Sequence, residues 1–222
     1  MKITTLLPMK AHSERVPNKN MRDFNGRPLY HAVMKSLQNS RYIAKIVINT
    51  DSDKIKQDAL CFFGDRVTIH NRPENIRGDL VSMNQIIAND LERLEGEHFL
   101  QTHSTNPLLR SGTISKAVQA LLTSFPAYDS LFSVSRLQTR LWDQLGRPIN
   151  HNPAILLQTQ DLPPVYEENS CIYIFTRANL LARRNRLGER PLMFPIDPAE
   201  AWDIDEELDF AIVNLLMEKS VN

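Results

Sequence analysis

The stretch KITTLLPMKAHSERVPNKN, residues 2–20, runs from an apolar segment into four basic side chains, Lys10, His12, Arg15 and Lys19, with no glycine among them. Its first half has the length and content of a buried strand, and its second half is then the loop leaving that strand's carboxyl end. The rest of the chain repeats the first half. AKIVINT (44–50), RVTIH (66–70), HFLQTH (98–103) and SLFSVS (130–135) are further short β-rich runs. Segments of helical spacing separate them. PLYHAVMKSLQNS (28–40) sets Leu29, Val33 and Leu37 on one face, and SMNQIIANDLERLEG (82–96) and GTISKAVQALLTSF (112–125) behave likewise. Alternating strands and helices predict an α/β fold, a mostly parallel sheet with helices on both faces. In such sheets ligands sit beyond the carboxyl ends of the strands, so the loops after residues 8, 50, 70 and 103 are where a site is expected.

The alternation stops at 136–168, RLQTRLWDQLGRPINHNPAILLQTQDLPPVYEE, a proline-rich segment with an LGRP turn and no amphipathic helix. It reads as an extended hairpin or arm, and a long irregular segment of this kind serves as a lid or packs against another subunit. Order returns with SCIYIFT, a helix near 177–187, an edge strand PLMFPI and a final helix after Asp205.

At 222 residues and 42% hydrophobic content the chain suits one large domain, 1–222, with the arm as a subregion. Lys plus Arg (26) equals Asp plus Glu (26), which argues against a nucleic-acid or membrane-surface binder and makes charge a local matter. No run approaches the roughly 18 apolar residues of a membrane span, and the amino-terminal apolar stretch is short for a signal peptide, so a cytoplasmic protein is expected. Cys61 and Cys171 stand alone, without zinc or redox spacing, and read as small buried side chains in a reducing compartment.

Lys10, Arg15 and Lys19, with Ser13 and Asn20 among them, can converge cationic and hydrogen-bonding donors on a triphosphate. A solvated surface loop is the alternative reading, which the position at a strand end weakens. Neither the dinucleotide fingerprint nor the Walker pattern occurs. In WDIDEELD (202–209), Asp203 and Asp205 are two residues apart, so in extended backbone both carboxylates face one way and suit Mg²⁺. Helix capping competes: Asp205 as N-cap with Glu206 and Glu207 in the first turn, which still leaves Asp203 free. Asp51 and Ser52 carry the same ambiguity and read as a cap. The six histidines show no ligand spacing, and Trp142 and Trp202 read as packing residues.

Together these segments resemble the acylneuraminate cytidylyltransferase family nearly end to end. PMKAHSERVPNKN is similar to its opening A-R-x-x-S-K-R-I-P-x-K-N motif, INTDSDKI to its second strand and turn, and NRPENIRGD to R-P-x-x-x-x-x-D, which marks Arg72 and Asp79. HSTNPLLRS resembles the T-x-P-x-R loop, TQDLPPVYEENSCIYIF the R-Q-D-x-P-x-x-Y-x-x-N-G-x-x-Y segment, and EAWDIDEELDF the D-I-D-x-x-x-D ending. The resemblance implies a Rossmann-like nucleotidyltransferase, a homodimer whose arm reaches over the partner's site. It also implies the reaction, in which CTP and a 2-keto sugar acid give the CMP-sugar and pyrophosphate with Mg²⁺. By position it implies Lys10, Arg15 and Lys19 as catalytic triphosphate contacts, and Ser13, Asn20, Arg72, Asp79 and Ser82 as substrate contacts on the nucleotide side. His103, Gln160 and Asn169 would face the sugar, and Asp203 and Asp205 would hold the metal. Departures from the family pattern are Lys10 and Glu14 in the first loop and His103, Thr159 and Ser170 toward the sugar. They keep two alternatives open: a weakened nucleotide-binding homologue with a regulatory role, or a nucleotidyltransferase using another base or sugar.

Overall fold

The computed structural model describes residues 2–221. Its frame is a seven-stranded sheet made of β1 (Ile3–Met9), β4 (Ile43–Thr50), β5 (Val67–Asn71), β6 (His98–Gln101), β7 (Ser130–Leu137), β8 (Val165–Thr176) and β9 (Pro191–Pro195), in the order β5-β4-β1-β6-β8-β7-β9. A two-stranded ribbon, β2 (Asp23–Phe24) with β3 (Arg27–Pro28), lies apart. β1 pairs in parallel with both β4 and β6, β4 with β5, and β7 with β9. Only β8 runs against its neighbours. The mostly parallel sheet is therefore as expected, and PLMFPI is indeed an edge strand.

Period-two alternation sorts the strand residues between two helical layers. Leu7, Met9, Ile46, Ile48, Leu100 and Ile174 face α1 (Tyr30–Gln38), α2 (Asp53–Phe63) and α4 (Ser111–Ser124). Leu6, Val47, Phe99 and Phe175 face α3 (Met83–Leu91) and α5 (Arg177–Arg183). α6 (Glu207–Val221) seals a third cluster with Phe24, Leu29, Ile204, Phe210 and Val213. The chain leaves β1 toward β4 and β5 and later returns to β1's other side as β6. That reversal opens a crevice at the carboxyl ends of β1 and β6.

Between β7 and β8 the chain is irregular, crossed by one bridge between Trp142 and Pro148 and tied by Asn150, whose Nδ2 donates to the carbonyls of Thr139 and Pro163. Leu145, Ile149, Ile155 and Leu156 are exposed along it. Trp142 is also half exposed, edge-on to His151, whereas Trp202 packs against the α6 cluster as expected. Of the two cysteines only Cys171 is buried; Cys61 is exposed on α2, whose outer face it shares with Leu60. No helix among the described residues is long and apolar enough to cross a membrane.

Candidate active site

A cavity of about 250 Å³ opens at that crevice, and Lys10, Ser13, Lys19, Asn20, Arg72, Asp79 and His103 line it. Seven of the side chains expected at a site thus come together from three separate loops, those after β1, β5 and β6. The first loop is held at both ends. Asp51 at the end of β4 accepts from Ala11 N at 2.8 Å, and Asn20 bridges two loops, donating to Lys10 O (3.1 Å) while accepting from Ser104 Oγ (2.6 Å). Asn18 takes a left-handed turn (φ 54°), a conformation asparagine tolerates, and the chain then carries Lys19 inward. Lys19 is nearly buried, donates to Ile204 O and lies 3.5 Å from Asp205. Lys10 pairs with Asp79 at 2.5 Å and Arg15 with Asp205 at 2.7 Å, both pairs half exposed. The Lys10 ammonium holds Asp79 below the usual carboxylate range, and Glu14 lies within hydrogen-bonding reach of the same carboxyl group. Gly78 has φ +94°, so a side chain here would strain the turn that brings Asp79 to the rim.

Arg72 is positioned by a buried relay. Its Nε donates to Asn49 Oδ1 (2.8 Å) and its Nη2 to Asn49 O (3.0 Å), while Asn49 Nδ2 donates to Asp90 Oδ1 (2.7 Å). His70 Nδ1 shares that oxygen at 2.7 Å. An ionised carboxylate can only accept, so His70 carries its proton on Nδ1. Burial pushes the Arg72 guanidinium down, and Asp51 and Asp90 push it back up. The relay was missed in the sequence. Its signals were Asn49 inside an apolar strand and Asp90 four residues after Ile86 on the core face of α3.

DID precedes α6 outside any helix or strand. Ile204 is fully buried and its N–H donates to Thr105 O at 2.9 Å, which turns Asp203 and Asp205 together toward the site. Capping falls to another residue: Asp209 Oδ2 accepts from the N–H groups of Asp205 (3.0 Å) and Glu206 (2.8 Å), leaving Asp205 to Arg15 and Lys19. Arg22 pairs with Glu207 and lies over the Phe210 ring at 4.1 Å, docking α6 beside the first loop. Burial raises Asp203 above the usual carboxylate range against a hydrogen bond from Thr105, and its Oδ1 is buried without a partner. Among the described residues no group of three or more His, Cys, Asp or Glu could hold a metal. Two carboxylates, one with a free oxygen, do fit Mg²⁺, which takes one or two carboxylates and fills its sphere with water and phosphate.

Three expected substrate contacts are not among the side chains that line the cavity. Ser82 is the N-cap of α3 in a capping box with Gln85, so its hydroxyl serves the helix. Of the Asp51–Ser52 pair, likewise, Ser52 caps α2 and Asp51 pins the first loop. Gln160 is exposed on the arm, bonded to Gln158. Asn169 bridges β7 and β8, accepting from Ser133 Oγ (2.5 Å) and donating to Ser135 Oγ (3.2 Å) at a bulge. The next residue, Ser170, has φ 59°, the left-handed region that glycine occupies without strain.

His103 continues the cavity wall toward β8. Burial, then the Arg186 charge, pushes its imidazole down to about 4 with Asp205 opposing, so the ring is neutral near pH 7. Its Nε2 is buried and unpartnered.

Residues 4–217 match the family model described as cytidylyltransferase. The chain belongs to the cytidylyltransferase family. It is 28% identical to the post-translational flagellin modification protein B of Campylobacter coli, the match covering 95% of this chain and 92% of that protein. It is 29% identical to a CMP-N,N'-diacetyllegionaminic acid synthase of Campylobacter jejuni, over 94% and 92% of the two chains. Among solved structures, a CMP:2-keto-3-deoxy-manno-octonic acid synthetase complexed with CTP superposes with a TM-score of 0.73 at 15% identity, covering 99% of this chain and 100% of that one. That likeness is one of fold.

Proposed function

We propose that this cytidylyltransferase transfers CMP from CTP to the anomeric hydroxyl of a 2-keto sugar acid of the nonulosonic class, releasing pyrophosphate. The observation that carries the reading is the convergence of Lys10, Lys19 and Arg72 on one cavity at the sheet's reversal, with Asp203 and Asp205 beside it. The printed activity of the legionaminic acid relative supports the acceptor class. In the reaction the anomeric oxygen forms a bond to the α-phosphorus while the bond to the pyrophosphate oxygen breaks in line. Negative charge grows on the leaving pyrophosphate, and fixed cations offset it. Exposed ion pairs are worth only about 0–1 kcal/mol, so phosphate oxygens can replace Asp79 on Lys10 and Asp205 on Arg15 at little cost. Mg²⁺, held by Asp203 and Asp205, would neutralise phosphate charge as a Lewis acid. Lys19, buried and anchored on Ile204 O, fixes the spacing between the triphosphate loop and these two carboxylates.

The reading includes a homodimer that covers the exposed apolar side chains of the 136–168 arm, and a cytosolic reaction using cytosolic CTP. A single monomeric species in sedimentation velocity at micromolar concentration would remove the dimer. The direct test is pyrophosphate release with Mg²⁺ and a panel of 2-keto sugar acids, CTP being compared with ATP, GTP and UTP. Release with CTP and one acid is expected. Release with another nucleotide in preference, or preferentially with sugars that carry neither acid nor ester group at the anomeric carbon, overturns the reading.

A further inference from the structure

Beyond His103 the carboxyl rim of the sheet carries a further cation, which neither the sequence motifs nor the triphosphate chemistry uses. Arg186 follows α5, whose last turn ends on Arg184 in the left-handed conformation (φ 52°). Its main-chain N–H donates to Asn84 Oδ1 at 3.2 Å, at the start of α3. The guanidinium lies 3.4 Å from the Tyr173 ring centroid and donates through Nη1 to Gln101 Oε1 at 2.5 Å. Gln101 and Tyr173 are register partners across β6 and β8, and both point to the α3 and α5 side. Gln101 is fully buried, with its Nε2 committed to Thr102 O at 2.9 Å, so its Oε1 is aimed and fixed.

These contacts hold a guanidinium flat and oriented without neutralising it. Among the described residues Arg186 forms no ion pair. The acid that acts on it, Glu168, accepts instead from the Tyr173 hydroxyl. A partly buried cation with no counter-ion is costly unless something pairs with it. Two residues beyond Gln101, His103 brings its buried, unpartnered Nε2 to the cavity wall, and the Arg186 charge reaches that ring. A neutral imidazole beside an unpaired planar cation makes a surface for a hydroxyl-bearing carboxylate. The fork of Arg suits a carboxylate bidentately, and the neutral ring can accept from or donate to a hydroxyl.

We infer that Arg186, oriented by Gln101 and Tyr173, is the specificity-determining residue that receives the acceptor's carboxylate, with His103 Nε2 taking a neighbouring hydroxyl. The inference rests on the acceptor class proposed above. It assigns recognition to the segment between α5 and β9 rather than to Gln160 or Asn169, which the fold uses on the arm and at the bulge. It also explains how the chain dispenses with an arginine at Thr159, since the cation arrives from another element.

The test compares wild type with Arg186→Gln and Arg186→Lys, using a turned-over 2-keto sugar acid and its methyl ester, and reads KM for acceptor and CTP separately. Loss of a charge-assisted pair predicts KM for the acid raised roughly 10- to 100-fold in Arg186→Gln. KM for the ester and for CTP should stay within about twofold, and Arg186→Lys should recover part of the loss. The diagnostic is the acid-to-ester ratio, which a general packing defect would not collapse. Calorimetric binding of N-acetylneuraminate and its methyl ester to the same proteins gives a readout independent of turnover. Equal effects on acid and ester, or no preference of wild type for acid over ester, overturns the inference. Preferential turnover of a sugar with neither an acid nor an ester group at the anomeric carbon would instead remove the acceptor class itself, with Arg186 falling as a consequence.

Discussion

Replacing Asp90 by alanine isolates the relay that sets Arg72. The carboxylate is fully buried and accepts from Asn49 Nδ2 and His70 Nδ1, both at 2.7 Å. Asp90→Ala leaves those two donors unsatisfied where Asn49 and His70 are themselves 0% and 6% exposed. Each unsatisfied buried group costs about 1–3 kcal/mol, so a loss of about 3–5 kcal/mol is expected, in line with breaking a buried charged pair. For a domain of this size 1 kcal/mol moves Tm by roughly 2–4 °C, so the variant should melt about 10 °C lower. Function follows by a separate route. Freed from Asp90, Asn49 no longer fixes Oδ1 against Arg72 Nε, though the main-chain bond at 3.0 Å remains. KM for CTP should rise several-fold while kcat changes less, because a binding contact loosens without leaving. Asp90→Asn keeps an oxygen for both donors and should cost only about 1 kcal/mol. Calorimetric scans and steady-state kinetics on both variants decide it. An Asp90→Ala protein that melts within 2 °C of wild type, or an Asp90→Asn protein as damaged as Asp90→Ala, refutes the relay.

Asp203→Asn and Asp205→Asn should each lower turnover on the order of 100-fold or more with far-ultraviolet circular dichroism unchanged, and should raise the Mg²⁺ concentration giving half-maximal rate; wild-type rates in either would remove the metal assignment. Ser170→Gly should stabilise the protein by about 0.5–1 kcal/mol in urea unfolding, since φ 59° strains serine and not glycine; a destabilised variant would mean the hydroxyl contact to Tyr173 outweighs the strain. His103 is held at about 4 against an ordinary 6.5, so the unfolded chain binds its proton first as pH falls. Its contribution is complete above pH 6.5 and is lost on descending toward pH 4, by at most about 3 kcal/mol. His103→Gln should flatten the fall of urea midpoint between pH 7 and 4.5, and parallel curves for the two proteins would contradict the assignment.

The layered fold was legible because apolar periodicity is local: Leu7 and Leu6, one residue apart, announce opposite faces of β1, and the helices' single apolar stripes follow. What lay beyond local reading was partnership. Asp205 and Asp209 are both plausible caps from spacing, and the choice depends on Arg15 and Lys19 arriving from nearly 190 positions away. Ser82 was expected only as a substrate contact, and its capping box with Gln85 emerged from the structure. Arg186 was invisible because Gln101 and Tyr173 become neighbours only when β8 turns antiparallel after the arm, and nothing in the arm's composition gives that direction.

The five departures from the family pattern then separate by where they act. At the triphosphate end Lys10 keeps its charge, and Glu14 sits with Asp79 on an exposed rim where water screens it, so a polyanion can still be met by Lys10, Arg15, Lys19 and Arg72. At the other end the changes alter shape and hydrogen bonding. His103 is neutral with an unpartnered Nε2, Ser170 is strained beside Asn169, and Thr159 carries no charge. Toward the nucleotide three of the motif's four cations remain, Glu14 standing where the fourth would be. Retention of Lys10, Arg15, Lys19 and the Asp203–Asp205 pair favours a change of sugar acid over a domain that merely stopped catalysing, in which these residues would be free to decay first.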